Sequence, residues 1–134
     1  MAGRLRFLMC APDHYDVDYV INPWMAGNLH RASSELAQAQ WHGLHDLLAS
    51  LADVELIAPR PGVPDLVFTA NAGVVVDDIV VLSRFMYAER RAEEPFFLEW
   101  FERQGYRVHR LPDDLPFEGA GDALRQPGDA DRLV

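Results

Sequence analysis

Two carboxylates four residues apart, Glu118 and Asp122, bracket Gly119-Ala120-Gly121 inside the stretch Phe117 to Leu124. Acidic acceptors on a pliable turn suit a small cation, because hydrogen bonds from a charged donor to a carboxylate are short and strong. The glycines would let such a ligand come close to the backbone. A second polar tip, Thr69-Ala70-Asn71, closes the apolar run that begins at Pro64. Together the tips point to a small cationic substrate rich in hydrogen-bond donors. A nucleophile to accompany them is harder to find. The one cysteine, Cys10, lies in the apolar run Arg6 to Cys10 and reads as a buried core thiol with nothing nearby to lower its pKa.

Other reactive side chains read more plainly. His42, His45 and Asp46 have a helical spacing that could hold a metal, but no third ligand cluster accompanies them, so they read as a solvated helix face. His14 reads as a turn residue after Pro12-Asp13, and His109 as a solvent-facing strand residue. Glu89, Glu93 and Glu94 read as the acidic first turn of a helix, complementing its dipole. No metal and no organic cofactor is implied.

The elements that must carry these residues follow from pattern. Arg6 to Cys10 predicts a buried opening strand, and Tyr15 to Met25 a loop with a little extended structure. Leu36, Trp41, Leu44, Leu47, Leu48 and Leu51 recur at helical spacing and predict a helix with one apolar face, capped by Ser33 or Ser34. Val54 to Ile57 predicts a strand, Leu66 to Ala70 another, and Gly73 to Leu82 a hairpin turning at Asp77-Asp78. A helix over Arg91 to Gln104 stops at Gly105, with Phe97, Leu98 and Phe101 on one face. Tyr106 to Leu111 alternates as a strand, and Phe117 to Leu124 opens a further extended element. The order suggests a repeated ββαβ unit, about two units long, in an α/β fold.

With 134 residues, a 49% hydrophobic content and 25% charged residues, the chain is sized for one globular domain. A net charge of −9 disfavours nucleic acid and anionic membranes as partners. A lone cysteine, and the absence of any apolar run long enough for a signal peptide or a membrane helix, fit a cytoplasmic protein.

Five stretches carry a resemblance: Met9 to Tyr15, Ile21 to Met25, Pro64 to Gly73, Arg90 to Glu93, and Phe117 to Leu124. In this order they resemble the guanidino-group-modifying superfamily of arginine deiminases, dimethylarginine dimethylaminohydrolases, arginine dihydrolases and amidinotransferases. Asn22-Pro23-Trp24-Met25 and Phe68-Thr69-Ala70-Asn71 look most like the dihydrolase and dimethylarginine-hydrolase branch. The resemblance implies a five-bladed α/β propeller (pentein) of ββαβ modules, of which about two are present. It also implies covalent catalysis, in which a cysteine thiolate attacks the guanidinium carbon and a histidine serves as general acid and base.

Carried over by motif, Glu118 would bind guanidinium and orient that histidine. Asn71 falls where many relatives have a guanidinium-gripping aspartate, and an amide accepts fewer charge-assisted bonds than a carboxylate. Arg90 would meet a substrate carboxylate, Asn22 would line the pocket, and Phe68 and Asp122 are further substrate-binding candidates within the matched motifs. The family's cysteine and histidine have no counterpart in these residues, so the chain is expected to supply the substrate-binding half of a guanidino hydrolase acting on arginine or a methylated arginine. An amidinotransferase, and a non-catalytic guanidino-binding protein, are the rival readings. Residues 1–124 read as the N-terminal part of the enzyme domain. Residues 125–134 read as a polar tail unfit for a central strand, suggesting a truncation or frameshift product. Exposed strand edges are expected to invite self-association.

Overall fold

The computed structural model describes residues 5–126 and divides into two compact units, Met1–Thr69 and Ala70–Val134. The boundary falls inside the Pro64 to Gly73 motif. Most of the expected polar tail lies outside the described residues.

The first unit opens with β1 (Arg6–Cys10), continues through an irregular segment to helix α1 (Ser34–Leu51), and returns as β2 (Asp53–Ile57). β1 and β2 pair in parallel, Phe7 opposite Val54 and Met9 opposite Leu56. Met9, Cys10 and Ile57 are buried at their C-terminal ends. Ser33 caps α1, its hydroxyl accepting from the Leu36 amide at 3.2 Å. The apolar face expected of α1 forms but is not covered: no residue of the helix is buried, and Leu36, Leu44, Leu47 and Leu51 are exposed.

Leu66 to Ala70, expected as a strand, is instead two 3₁₀ turns, Pro64–Val67 and Thr69–Asn71. Proline at the first position presets the turn, which the Leu66 amide closes onto the Val63 carbonyl at 3.1 Å. Pro64, Asp65 and Leu66 are all buried, and a short buried apolar run looks alike in either conformation.

The second unit is β3 (Gly73–Val76), β4 (Ile79–Leu82), α2 (Ala88–Arg91), α3 (Glu94–Arg103) and β5 (Arg107–Arg110). This is one ββαβ order. β3 and β4 form the expected antiparallel hairpin, with Asp77 at φ 54 taking the left-handed turn position. β4 then pairs in parallel with β5, giving the sheet order β3-β4-β5. Phe97 and Phe101 of α3 are buried, as their spacing requires, together with Val80 and Leu82 of β4. Gly105 ends the helix at φ 84.

Phe117 to Leu124 does not become a strand. Phe117 makes one isolated antiparallel bridge to Arg84, and Gly119–Gly121 closes as a 3₁₀ turn. Among the described residues no helix is long and apolar enough to cross a membrane.

Candidate functional site

In the second unit a buried charge pair forms the base of the candidate site. The Arg90 guanidinium donates from Nε to Glu93 Oε1 at 2.9 Å and from Nη2 to Glu93 Oε2 at 2.8 Å, a two-pronged match. Glu93 is 0% exposed and Arg90 is 6% exposed. The guanidinium also lies 4.3 Å above the centre of the buried Phe85 ring. Glu93 and Glu94 stand at the start of α3, as expected, but both are buried. Glu94 accepts from the Phe85 amide at 2.9 Å and from Arg84 Nη1 at 3.2 Å. A buried carboxylate needs such partners, since desolvating it alone would be prohibitive.

From this base the polarity runs outward through one amide. Arg90 Nη1 donates to Asn71 Oδ1 at 3.1 Å, and Asn71 Nδ2 donates to the Glu118 carbonyl at 3.0 Å. An asparagine can do both because it carries one acceptor and one donor end. The Glu118 backbone amide donates to Asp122 Oδ2 at 2.7 Å, and the Gly121 amide donates to the Glu118 carbonyl at 3.1 Å. Glu118 is thus held at its backbone from two sides. Its half-buried carboxylate receives only a long 3.4 Å bond from the Met86 amide to Oε1, and Oε2 accepts no hydrogen bond among the described residues. That oxygen is available to a ligand.

The two glycines of the turn have different uses. Gly119 sits at φ 59, where a Cβ would lie 2.7 Å from the Ala70 carbonyl oxygen and 3.0 Å from the Gly73 amide nitrogen. It admits the protein's own backbone, where the sequence suggested a substrate. Gly121 has no such crowding, its nearest neighbour being Asn71 Nδ2 at 3.5 Å.

The structure therefore brings Asn71, Arg90, Glu118 and Asp122 into one network. Arg90 is turned inward onto Glu93 and Asn71, and Asp122 spends an oxygen on the turn. Glu93 is the residue that sequence reasoning missed as part of the site. Its spacing of three from Arg90 was the available signal, read there as helix-dipole chemistry.

Phe68 and Asn22 lie in the first unit. Phe68 is exposed, with Tyr15 edge-on at 5.9 Å. Asn22 Oδ1 accepts from the Met25 amide at 3.1 Å, fixing a turn. That turn lies in a loop closed by His30, whose amide donates to the Val17 carbonyl at 2.8 Å and whose Nδ1 meets Asp16 Oδ2 at 2.6 Å. The hydrogen bond to Asp16 raises the His30 pKa above the ordinary 6.5, and the bond from His30 holds Asp16 below its ordinary range.

The sign follows for each partner. His30 contributes fully below its unfolded pKa and loses that contribution as pH rises through its raised folded value; Asp16 contributes above its unfolded pKa and loses it as pH falls through its lowered one. The clasp is therefore firmest between the two ranges. We expect a proton NMR titration to place His30 above 6.5 and Asp16→Asn to return it toward that value. A His30 titration unmoved by the substitution would remove the clasp.

The remaining histidines form no site. His42 and His45 pack against Trp41 at ring-centre distances of 5.2 and 5.1 Å, and no group of three metal-ligating side chains occurs among the described residues. His14 and His109 are exposed. Cys10 and His14 line one shallow depression, yet Cys10 is 1% exposed, buried as its sequence context predicts.

No family model matches the chain. It is 64% identical over 124 residues to AgrE, the bifunctional arginine dihydrolase/ornithine cyclodeaminase of Nostoc sp., matching 92% of this chain and 18% of that protein. It is 41% identical over 120 residues to the N(G),N(G)-dimethylarginine dimethylaminohydrolase of Mycobacterium tuberculosis, matching 89% of this chain and 39% of that enzyme. The crystal structure of the product-bound N-terminal domain of ArgZ, a cyanobacterial arginine dihydrolase, superposes with a TM-score of 0.89 at 60% identity, covering 91% of this chain and 45% of that one. A dimethylarginine dimethylaminohydrolase adduct shares the α/β fold at a TM-score of 0.73 and 21% identity, over 93% of this chain and 47% of that one. The chain thus spans less than half the length of these relatives.

Proposed function

The chain belongs to the guanidino-group-modifying superfamily and matches the N-terminal domain of the arginine dihydrolases, and from that premise we propose that it carries the guanidinium-binding part of an arginine dihydrolase. The observation that carries this reading is Glu118: its backbone carbonyl is braced through Asn71 on the buried Arg90–Glu93 pair, and its carboxylate Oε2 accepts no hydrogen bond among the described residues. A carboxylate carried on a braced backbone binds a guanidinium directionally, because the fork of donors meets an acceptor held near its place. Crystal structures of the relatives describe an AgrE cysteine-to-alanine mutant with L-arginine and an ArgZ domain covalently bonded to a reaction intermediate. This supports arginine as the substrate class and covalent catalysis as the route.

On this reading a cysteine thiolate adds to the guanidinium carbon and one ammonia leaves; a first water displaces a second ammonia, a second water frees the thiolate, and the resulting carbamate loses carbon dioxide, so that arginine and two waters yield ornithine, two ammonia and carbon dioxide. Neither the thiolate nor the partner histidine is assigned to this chain, since Cys10 is a buried core thiol. Glu118 binds the guanidinium nitrogens and orients the histidine. Arg90 and Asp122 position Glu118 and Asn71 rather than touch the substrate. Asn22 and Phe68, in the first unit, are further substrate-binding candidates. Residues 1–124 form part of a cytoplasmic enzyme domain, and the β3-β4-α-β5 order is one module of a five-bladed propeller, with the first unit a looser second module.

The test is a chimera in which residues 5–124 replace the matched segment of the ArgZ N-terminal domain. It should release ornithine and ammonia from arginine, while the 134-residue chain alone should release neither. A cooperatively folded chimera that binds no arginine would sink the proposal. Activity in the chain alone would move the nucleophile back to Cys10. In the chimera, Asn71→Asp sets an oxygen against the Glu118 carbonyl, losing a bond and adding repulsion. A loss of about 1–3 kcal/mol corresponds to a fall of roughly tenfold to a hundredfold in kcat/KM. Unchanged kinetics would show that Asn71 does not orient Glu118.

A further inference from the structure

Between β4 and α2 the chain leaves the sheet, so its backbone polar groups need partners elsewhere. Three consecutive peptide groups there are pinned in turn. In the first, the Arg84 carbonyl accepts from the Phe117 amide at 2.8 Å, and the Phe85 amide donates to Glu94 Oε1 at 2.9 Å. In the second, the Phe85 carbonyl accepts from Arg91 Nε at 2.8 Å, and the Met86 amide reaches Glu118 Oε1 at 3.4 Å. In the third, the Met86 carbonyl accepts from Arg91 Nη2 at 3.1 Å. One guanidinium, on the last residue of α2, therefore spans two successive carbonyls.

The second peptide group carries the consequence. A trans peptide is planar, with its C=O and N–H on opposite edges, so fixing the carbonyl fixes where the amide points. Arg91 holds the Phe85 oxygen, and the N–H on the far edge is the one donor the Glu118 carboxylate has among the described residues. The second grip, on the Met86 carbonyl, keeps that plane from swinging about the Met86 Cα. A charged donor on a carbonyl also polarises its peptide and strengthens the bond given by the amide. Bonds of this kind are often long before substrate is bound and tighten afterwards, which suits the 3.4 Å at Glu118. Among the described residues no carboxylate pairs with Arg91, so its contacts are with this backbone, unlike those of its neighbour Arg90.

We propose that Arg91 is a positioning residue for the guanidinium site: by holding the Phe85–Met86 peptide it aims the Met86 amide at one oxygen of Glu118 and leaves the other oxygen to the substrate. This rests on the dihydrolase reading. The test is a double-mutant cycle on arginine affinity, measured by calorimetry in the ArgZ chimera. The ArgZ cysteine is replaced by serine, the variant in which that domain holds its substrate. Arg91→Met should weaken arginine binding by roughly tenfold to a hundredfold, the scale of a lost hydrogen bond to a charged group. In a Glu118→Ala background the same change should cost less than about twofold, because contacts acting in series do not add. Where Glu118→Ala leaves no measurable binding, Glu118→Asp takes its place, since its shorter side chain withdraws from the Met86 amide. Where Arg91→Met does not fold, Arg91→Lys is read through the same cycle, because an ammonium cannot span both carbonyls as a fork.

Undiminished binding with Arg91→Met would overturn the proposal. So would an equal loss with and without the Glu118 carboxylate, which is what a purely structural role, or a direct grip on the substrate's own carboxylate, would give. The two readings fail separately: a folded parent chimera that binds no arginine refutes the dihydrolase reading, whereas a parent that binds it and an additive cycle refute Arg91 alone.

Discussion

Glu93→Ala is expected to cost about 3–5 kcal/mol of stability, the range for removing one member of a buried ion pair. The loss comes from what remains. Arg90, 6% exposed, would keep its charge with its two-pronged partner gone, and neither Asn71 nor the Phe85 ring supplies a full counter-charge. Glu93→Gln should fall nearly as hard, because its amide restores one acceptor but no charge. The double change Arg90→Met with Glu93→Leu should recover most of the stability, since apolar residues of similar volume often replace a buried pair without loss. It should not recover arginine turnover in the chimera, because Asn71 would still lack its anchor. Chemical denaturation with kcat/KM on the same four proteins checks this. A double variant as active as the parent would reduce the pair to a packing feature.

Gly119→Ala should be nearly as damaging, by about 2–4 kcal/mol, combining left-handed strain with overpacking. At φ 59 the new methyl would sit 2.7 Å from the Ala70 oxygen and 3.0 Å from backbone atoms of Asn71 and Gly73, none of which belongs to a side chain that could swing away. The turn would have to lift, taking the Glu118 carbonyl from Asn71. Gly121→Ala is the control: its surroundings have ordinary contact distances, so it should change stability by less than about 1 kcal/mol. Equal effects at the two positions would mean that the close approach at Gly119 is not what the turn requires.

The elements read most easily from sequence were those with a local cause. Ser33 caps α1, Asp77 turns the hairpin and Gly105 stops α3, each through its own backbone or its nearest neighbours. The misread elements had remote causes. Leu66 to Ala70 and Phe117 to Leu124 are apolar enough for strands, but among the described residues they pair with no strand beyond the single Phe117–Arg84 bridge, and Pro64 and Gly119 bend them into turns. For the site, Asn71 and Glu118 were legible from their motifs, whereas the depth of Glu93 was not. Charge in a sequence says nothing of burial until the ring of Phe85 and the guanidinium of Arg90 are in place. The leucines of α1 show the converse: periodicity announced an apolar face, and the chain leaves it bare.

The turn at Gly119 nests against Ala70 and Gly73, so the end of the second unit closes onto its beginning. Such a closure sets an order of assembly. The β3–β4 hairpin joins near neighbours, β4 and β5 join across the α2–α3 crossover, and Asn71 meets Glu118 across a wider gap than either. Chain entropy is lost before distant contacts can return anything, so that wider closure comes after them. Disassembly runs backwards along the same order, and regions with few, exposed contacts open below the global unfolding free energy. The corner that would hold a guanidinium is thus the last of these pieces made and the first surrendered, leaving a chain that has lost its grip on ligand while its sheets are still standing.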